Sequence, residues 1–123
     1  MSKVILIVDD DPKICKLVRA ILEAPGYTII EATNGRKGVD LAKARKPDLI
    51  LMDILMPVMD GYAACHIIKT NSLTRNIPVV MLTAVDTELS SDVTEKMGAD
   101  GYVTKPFTRE RLLDAISKLL PSS

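Results

Sequence analysis

Apolar positions along the chain alternate between two patterns. Short runs are apolar at every position: Val4-Ile5-Leu6-Ile7-Val8, Leu49-Ile50-Leu51-Met52 and Ile77-Pro78-Val79-Val80-Met81-Leu82. Such runs are too short for helices and read as strands buried on both faces. Residues 27–32, with Ile29 and Ile30, and Tyr102-Val103-Thr104 read as two further strands. Between them apolar residues recur at helical spacing. Ile14, Leu17, Val18, Ile21 and Leu22 form one stripe after Asp11-Pro12, which suit an N-cap and a first helical position. Pro25-Gly26 ends that helix. After a turn near Asn34-Gly35, Val39 and Ala42 mark a second helix running to about residue 45. Asp60-Gly61 opens a third, with Ala63, Ala64, Ile67 and Ile68. A fourth is expected over about 87–97, although Ser90, Ser91 and Thr94 are poor interior residues. Thr108 caps a last helix carrying Leu112, Leu113, Ile116, Leu119 and Leu120.

Five wholly apolar or short strands alternating with helices predict an α/β domain: a parallel sheet covered by helices on both faces. Right-handed crossovers leave few topologies. We adopt the order 2-1-3-4-5 of the smaller doubly wound, flavodoxin-like folds; the pattern itself does not derive it. That order sets strands one and three side by side at the switch point. Asp9 and Asp10 then meet Asp53 in one crevice, and Thr83 and Lys105 end strands four and five on the same rim.

Composition narrows the function. The chain has 123 residues, 47% hydrophobic and 26% charged, which fits one folded domain, 1–123. Lys plus Arg equal Asp plus Glu at 16 each, so no net field draws the chain to nucleic acid or an anionic membrane. No apolar run is long enough to span a bilayer. The start Met1-Ser2-Lys3 lacks a signal-peptide layout, and we expect a cytoplasmic, stand-alone protein. Cys15 and Cys65 have no paired spacing and are expected as reduced, packed thiols.

A lone carboxylate after a strand is usually a turn cap. Asp53 is read differently because a second acidic cluster, Asp9-Asp10, ends another strand. Three carboxylates in one crevice repel one another unless one is protonated or a cation joins them. A hard divalent ion such as Mg²⁺ fits oxygen ligands and leaves positions for phosphate oxygens. A carboxylate can attack phosphorus, a lysine and a metal can neutralise the transferring group, and Thr83 offers a hydroxyl.

With these residues in place the sequence resembles the receiver domains of two-component response regulators, of the chemotaxis-regulator type. The motifs are Val8-Asp9-Asp10, Met52-Asp53-x-x-Met56-Pro57-x-Met59-Asp60-Gly61, Thr83-Ala84, Gly98-Ala99-Asp100 and Tyr102-Val103-Thr104-Lys105-Pro106-Phe107. The resemblance implies that Asp53 is the phosphoacceptor. It implies that Asp10 and Asp53, with the Leu55 carbonyl, bind Mg²⁺ or Mn²⁺, and that Asp9 reaches the metal through water. Thr83 is then the switch hydroxyl, Lys105 pairs with the phosphoryl group, Tyr102 rotates on activation, and the bond to Pro106 is cis. The donor would be a histidine kinase or histidine phosphotransfer protein. The surface made by the helix over 87–97, the fifth strand and the last helix would meet an output protein, with a monomer or a phosphorylation-dependent dimer. The module would not turn over an external substrate. Leu55 and Val85 depart from the chemotaxis type; being apolar, they should screen an acyl phosphate from water and slow its loss.

Helix one presents Lys13, Lys16 and Arg19 outward, with Ile14 and Cys15 as apolar contacts for the histidine-bearing partner or simply as a solvated face. His66 reads as an ordinary surface residue, and Asp86, Glu88, Asp92 and Glu95 as a solvated helix face. The rival class is an aspartate-nucleophile phosphohydrolase of the haloacid-dehalogenase type, mimicked by Asp9-x-Asp11, a Thr and a Lys. Pro12, the absence of a cap domain and the unexplained Asp53 weigh against it. A flavin carrier is poorer, because the acidic first loop repels phosphate. No G-x-x-x-x-G-K-[ST] phosphate loop occurs.

Overall fold

The computed structural model describes residues 2–54, 56, 58–83 and 98–120. Strands β1 (Val4–Val8), β2 (Thr28–Ala32), β3 (Leu49–Asp53), β4 (Val79–Thr83) and β5 (Gly101–Thr104) form one parallel sheet in the order β2-β1-β3-β4-β5. Helices α1 (Pro12–Glu23), α2 (Gly35–Arg45), α3 (Gly61–Thr70) and α4 (Arg109–Leu119) cover both faces. The fold class and strand order are those expected. The helix expected over 87–97 and residues Leu55, Val85, Asp86, Glu88, Asp92 and Glu95 lie outside the described residues.

Alternate residues of each strand feed opposite cores, as a pleated strand requires. Ile5, Ile7, Leu49, Leu51, Val80, Leu82 and Val103 pack under α1 and α4. Leu6, Val8, Ile50, Met52, Val79 and Met81 pack under α2 and α3. Every residue of β3 is buried, which explains its unbroken apolar pattern. Each helix begins at a side-chain cap: Asp11 accepts from Lys13 N–H, Asn34 from Lys37, Asp60 from Ala63 and Thr108 from Arg111.

Two helix faces differ from the pattern read off the sequence. On α1 the buried residues are Cys15, Val18, Ile21 and Leu22, whereas Leu17 is 46% exposed. The expectation that Cys15 contacts a partner on the outer face is therefore wrong: its thiol lies in the core and donates to the Asp9 carbonyl. On α3, Ala63 is exposed although the stripe placed it inward, while Cys65 is buried, as expected of a packed thiol. Arg19 is not a free outward charge, since its guanidinium pairs with Glu31 of β2 and Glu23.

Candidate functional site

The carboxyl rim of β1 and β3 is acidic because both strands end there in aspartate. Pairing of Val8 with Met52 sets Asp9 beside Asp53, and β3 pairs onward so that Asp53 faces Leu82. One oxygen from each of Asp9, Asp10 and Asp53 lies within 4.8 Å of the others. Asp9 is fully buried, Asp53 is 8% exposed and Asp10 is exposed. The three carboxylates thus run from a sealed floor to an open mouth.

Lys105 closes one side. Its Nζ donates to Asp9 Oδ2 at 3.0 Å and to Asp53 Oδ1 at 3.1 Å. The other Asp9 oxygen accepts the Asp11 N–H at 2.9 Å. Burial and the charge of Asp9 hold the Asp53 carboxyl above its ordinary range, against the opposing pull of Lys105. Burial also pulls the Lys105 ammonium down, but the hydrogen bonds and charges of Asp9 and Asp53 outweigh it and raise its pKa. The site is short of positive charge: among the described residues one lysine serves the acidic cluster.

The backbone around Asp53 is held by close packing. Gly61, the first residue of α3, donates its N–H to the Ile54 carbonyl at 2.8 Å. A Cβ on Gly61 would lie 2.1 Å from the Asp53 carbonyl oxygen, so no other residue fits. Likewise a Cβ on Gly35, at the start of α2, would lie 2.3 Å from the Met59 carbonyl oxygen. Val58, between these contacts, is 83% exposed with φ of 71°, a left-handed conformation that costs a β-branched residue energy. The Asp60-Gly61 dipeptide carried a signal for a helix start, but not for contact with the Asp53 backbone.

Thr83 is buried at the end of β4, opposite Thr104 in register, and its carbonyl accepts the Lys105 N–H at 2.7 Å. Tyr102, opposite Met81, is half-buried against the core layer beneath α2 and α3. The Lys105–Pro106 peptide bond is cis. The structure therefore brings Asp9, Asp10, Asp53 and Lys105 together and places Thr83 on the same rim. The contact missed from sequence is Lys105 to Asp9, a bond between residues 96 positions apart. His66 is exposed on α3, as expected.

The donor set fits a hard divalent cation. Its members are all oxygen and they converge, and burial together with the charge of Asp9 raises the Asp53 pKa.

The chain belongs to the response regulator receiver domains, whose family model matches residues 5–117. It is a phosphoacceptor signalling module of the two-component type. It is 40% identical over 120 residues to the chemotaxis protein CheY of Halobacterium salinarum, covering 98% of each chain. It is 42% identical over 116 residues to the DNA-binding dual master transcriptional regulator RpaA of Synechocystis, covering 94% of this chain and 48% of that protein. The chain thus spans about half the length of the transcriptional regulators it matches, and nearly all of the chemotaxis protein. Among solved structures it superimposes on the receiver domain of the sensor histidine kinase PA1611 from Pseudomonas aeruginosa, with a TM-score of 0.90 and 30% identity. The match covers 99% of this chain and 100% of that one. The latter was solved with a magnesium ion coordinated in the active-site cleft. Receiver domains bind Mg²⁺ at an acidic pocket, and Asp9, Asp10 and Asp53 form an acidic cluster in this chain. The phosphohydrolase alternative is not supported. Asp9, the nucleophile that class would need, is fully buried and hydrogen-bonded through both oxygens, whereas Asp53 opens toward the exposed Asp10.

Proposed function

We propose that Asp53 is the phosphoacceptor and that residues 1–123 act as one receiver unit. The observation that carries this is the position of Asp53: on a buried central strand, yet opening toward the exposed Asp10 and held by Lys105. An oxygen of Asp53 attacks the phosphorus of a phosphohistidine on a histidine kinase or histidine phosphotransfer protein. The new O–P bond forms as the P–N bond breaks, and the imidazole leaves. Asp53 reacts as the carboxylate, so no base is needed. Asp10 and Asp53, with the Leu55 carbonyl, would hold Mg²⁺ or Mn²⁺, and Asp9 would reach it through water. Bound there, the ion neutralises charge on the transferring phosphoryl oxygens.

Lys105 is placed to pair with the same oxygens. A phosphoryl group adds about −1.5 to −2 charge by analogy with phosphoesters, in a site already short of positive charge. Thr83 is drawn toward it, and Tyr102 takes the space released. The resulting change is a population shift at β5 and α4 and at the helix expected from sequence over 87–97. A cleft between β5 and α4, lined by Tyr102, Arg111, Asp114 and Lys118, supports these two elements as part of the face for an output protein or a phosphorylation-dependent dimer. A cytoplasmic setting goes with the proposed two-component role; among the described residues no helix is long and apolar enough to cross a membrane.

The test is labelling by acetyl phosphate with Mg²⁺. The wild type takes up one phosphoryl group per chain and Asp53→Asn none; stoichiometric labelling of Asp53→Asn overturns the assignment. The apolar side chains of Leu55 and Val85 support slow self-dephosphorylation. Leu55→Asn should speed the loss of phosphate, measured by release of inorganic phosphate, and an unchanged or slower rate refutes the screening role.

A further inference from the structure

Lys105 is delivered to the acid crevice by β5, a short strand whose register is fixed within the strand by the burial of Val103 and after it by the Lys105 N–H to Thr83 carbonyl bond. It is four residues long, lies at the sheet edge and pairs only with β4. Its first residue is Gly101, where a Cβ would find nothing closer than 3.9 Å. A one-residue slip would turn every side chain to the opposite face and carry Lys105 about 3.3 Å along the strand.

A second hold lies at its other end. The Asp100 N–H donates to the Val79 carbonyl at 2.8 Å, and the Val79 N–H donates back to Asp100 Oδ2 at 2.8 Å. This closed ring fixes Asp100 opposite the first residue of β4. Lys69 of α3 donates to the same Oδ2 at 2.9 Å and to the Ile77 carbonyl at 3.0 Å. One ammonium therefore ties α3, the approach to β4 and the start of β5 into a single corner. Its side chain is 17% exposed, so the pair is partly shielded from solvent.

We propose that Lys69 and Asp100 are a positioning pair for Lys105: they set the register of β5 from the amino rim and so hold the Lys105 ammonium between Asp9 and Asp53. The proposal rests on the reading that Lys105 meets the phosphoryl group. It goes further in assigning a role to two residues that touch neither the metal pocket nor the acceptor.

The experiment is the initial rate of labelling by acetyl phosphate, read as maximal rate and half-saturating concentration. Urea midpoints report folding in parallel. Asp100→Ala and Lys69→Met are made alone and in a Lys105→Met background. A misplaced reacting group costs up to about a hundredfold, so folded Asp100→Ala should lose about tenfold to about a hundredfold in maximal rate. Lys69→Met leaves the Asp100–Val79 ring intact and should lose less, and Lys69→Arg should recover most of that loss. In the Lys105→Met background neither change should slow labelling further. Equal losses with and without Lys105, or unchanged labelling by folded Asp100→Ala and Lys69→Met, overturn the proposal. Wild-type protein that takes no label, or Asp53→Asn that takes it fully, overturns the receiver reading itself and is told apart by that control.

Discussion

Aspartates stand at both rims of the sheet, and the two rims treat them in opposite ways. At the amino rim, Asp48 donates its N–H to the Val4 carbonyl and accepts the Val4 N–H on Oδ2 at 2.7 Å. Asp100 makes the same ring with Val79 and adds Lys69. Each carboxylate there answers a backbone donor that the strand end would otherwise leave unmatched. At the carboxyl rim three carboxylates converge, two of them, Asp9 and Asp53, share one lysine, and Asp53 is driven above its ordinary pKa by burial and by Asp9. The difference separates acids that complete a fold from acids kept for a ligand. The first kind is matched within the chain; the second is left with an excess of charge of one sign.

The contrast can be broken most forcefully at Lys105. Lys105→Met leaves Asp9 buried with the Asp11 N–H alone. Removing one partner of a buried pair costs about 3–5 kcal/mol, and urea unfolding without divalent metal should show a loss in that range. A loss below about 1 kcal/mol would mean that Asp9 is not dependent on the lysine.

A smaller effect is expected at the other rim. Asp48→Ala strands the Val4 N–H at a cost of about 1–3 kcal/mol, whereas Asp48→Asn keeps an acceptor and should lose little. Neither should alter the labelling of Asp53. A labelling defect in folded Asp48→Asn would erase the distinction between the rims.

The smallest and most telling effect is a gain. The folded pKa of Asp53 is raised, so its protonated form is the one the fold prefers. Its contribution is fully present below the unfolded value, about 3.9, and is lost as pH rises through the folded value. In metal-free buffer Asp53→Asn should therefore unfold at a higher temperature than wild type at neutral pH. The gap should close as pH falls below about 3.9. No structural carboxylate of the amino rim should gain stability in this way. A melting point lowered at neutral pH would show that Asp53 supports the fold rather than straining it.

The sequence carried the sheet, because β1, β3 and β4 are buried on both faces and are apolar up to the final residues of β3 and β4. It also carried the convergence of Asp9, Asp10 and Asp53, once the strand order was adopted. It did not carry the α1 face. Ile14, Cys15, Leu17 and Val18 supply two overlapping helical stripes, and hydropathy alone does not say which one the sheet opposes. Cys15 wins because it sits over Asp9 in the core, leaving Leu17 outside. The rings at Asp48 and Asp100 were equally hidden. Each depends on which backbone N–H lies across the sheet, a property of register rather than of residue type. The link from Lys105 to Asp9 was out of reach for the same reason.

The place of β3 also bears on how the molecule moves. Its amides lie at the centre of the sheet, bonded on both sides and covered by both cores. Their hydrogen exchange should require opening of the whole domain, while edge strands exchange through smaller fluctuations. Asp53 is thus mounted on the strand whose amides should exchange most slowly. A charge placed on it meets a fixed anvil, and the displacement falls on the ends of β4 and β5 across from it.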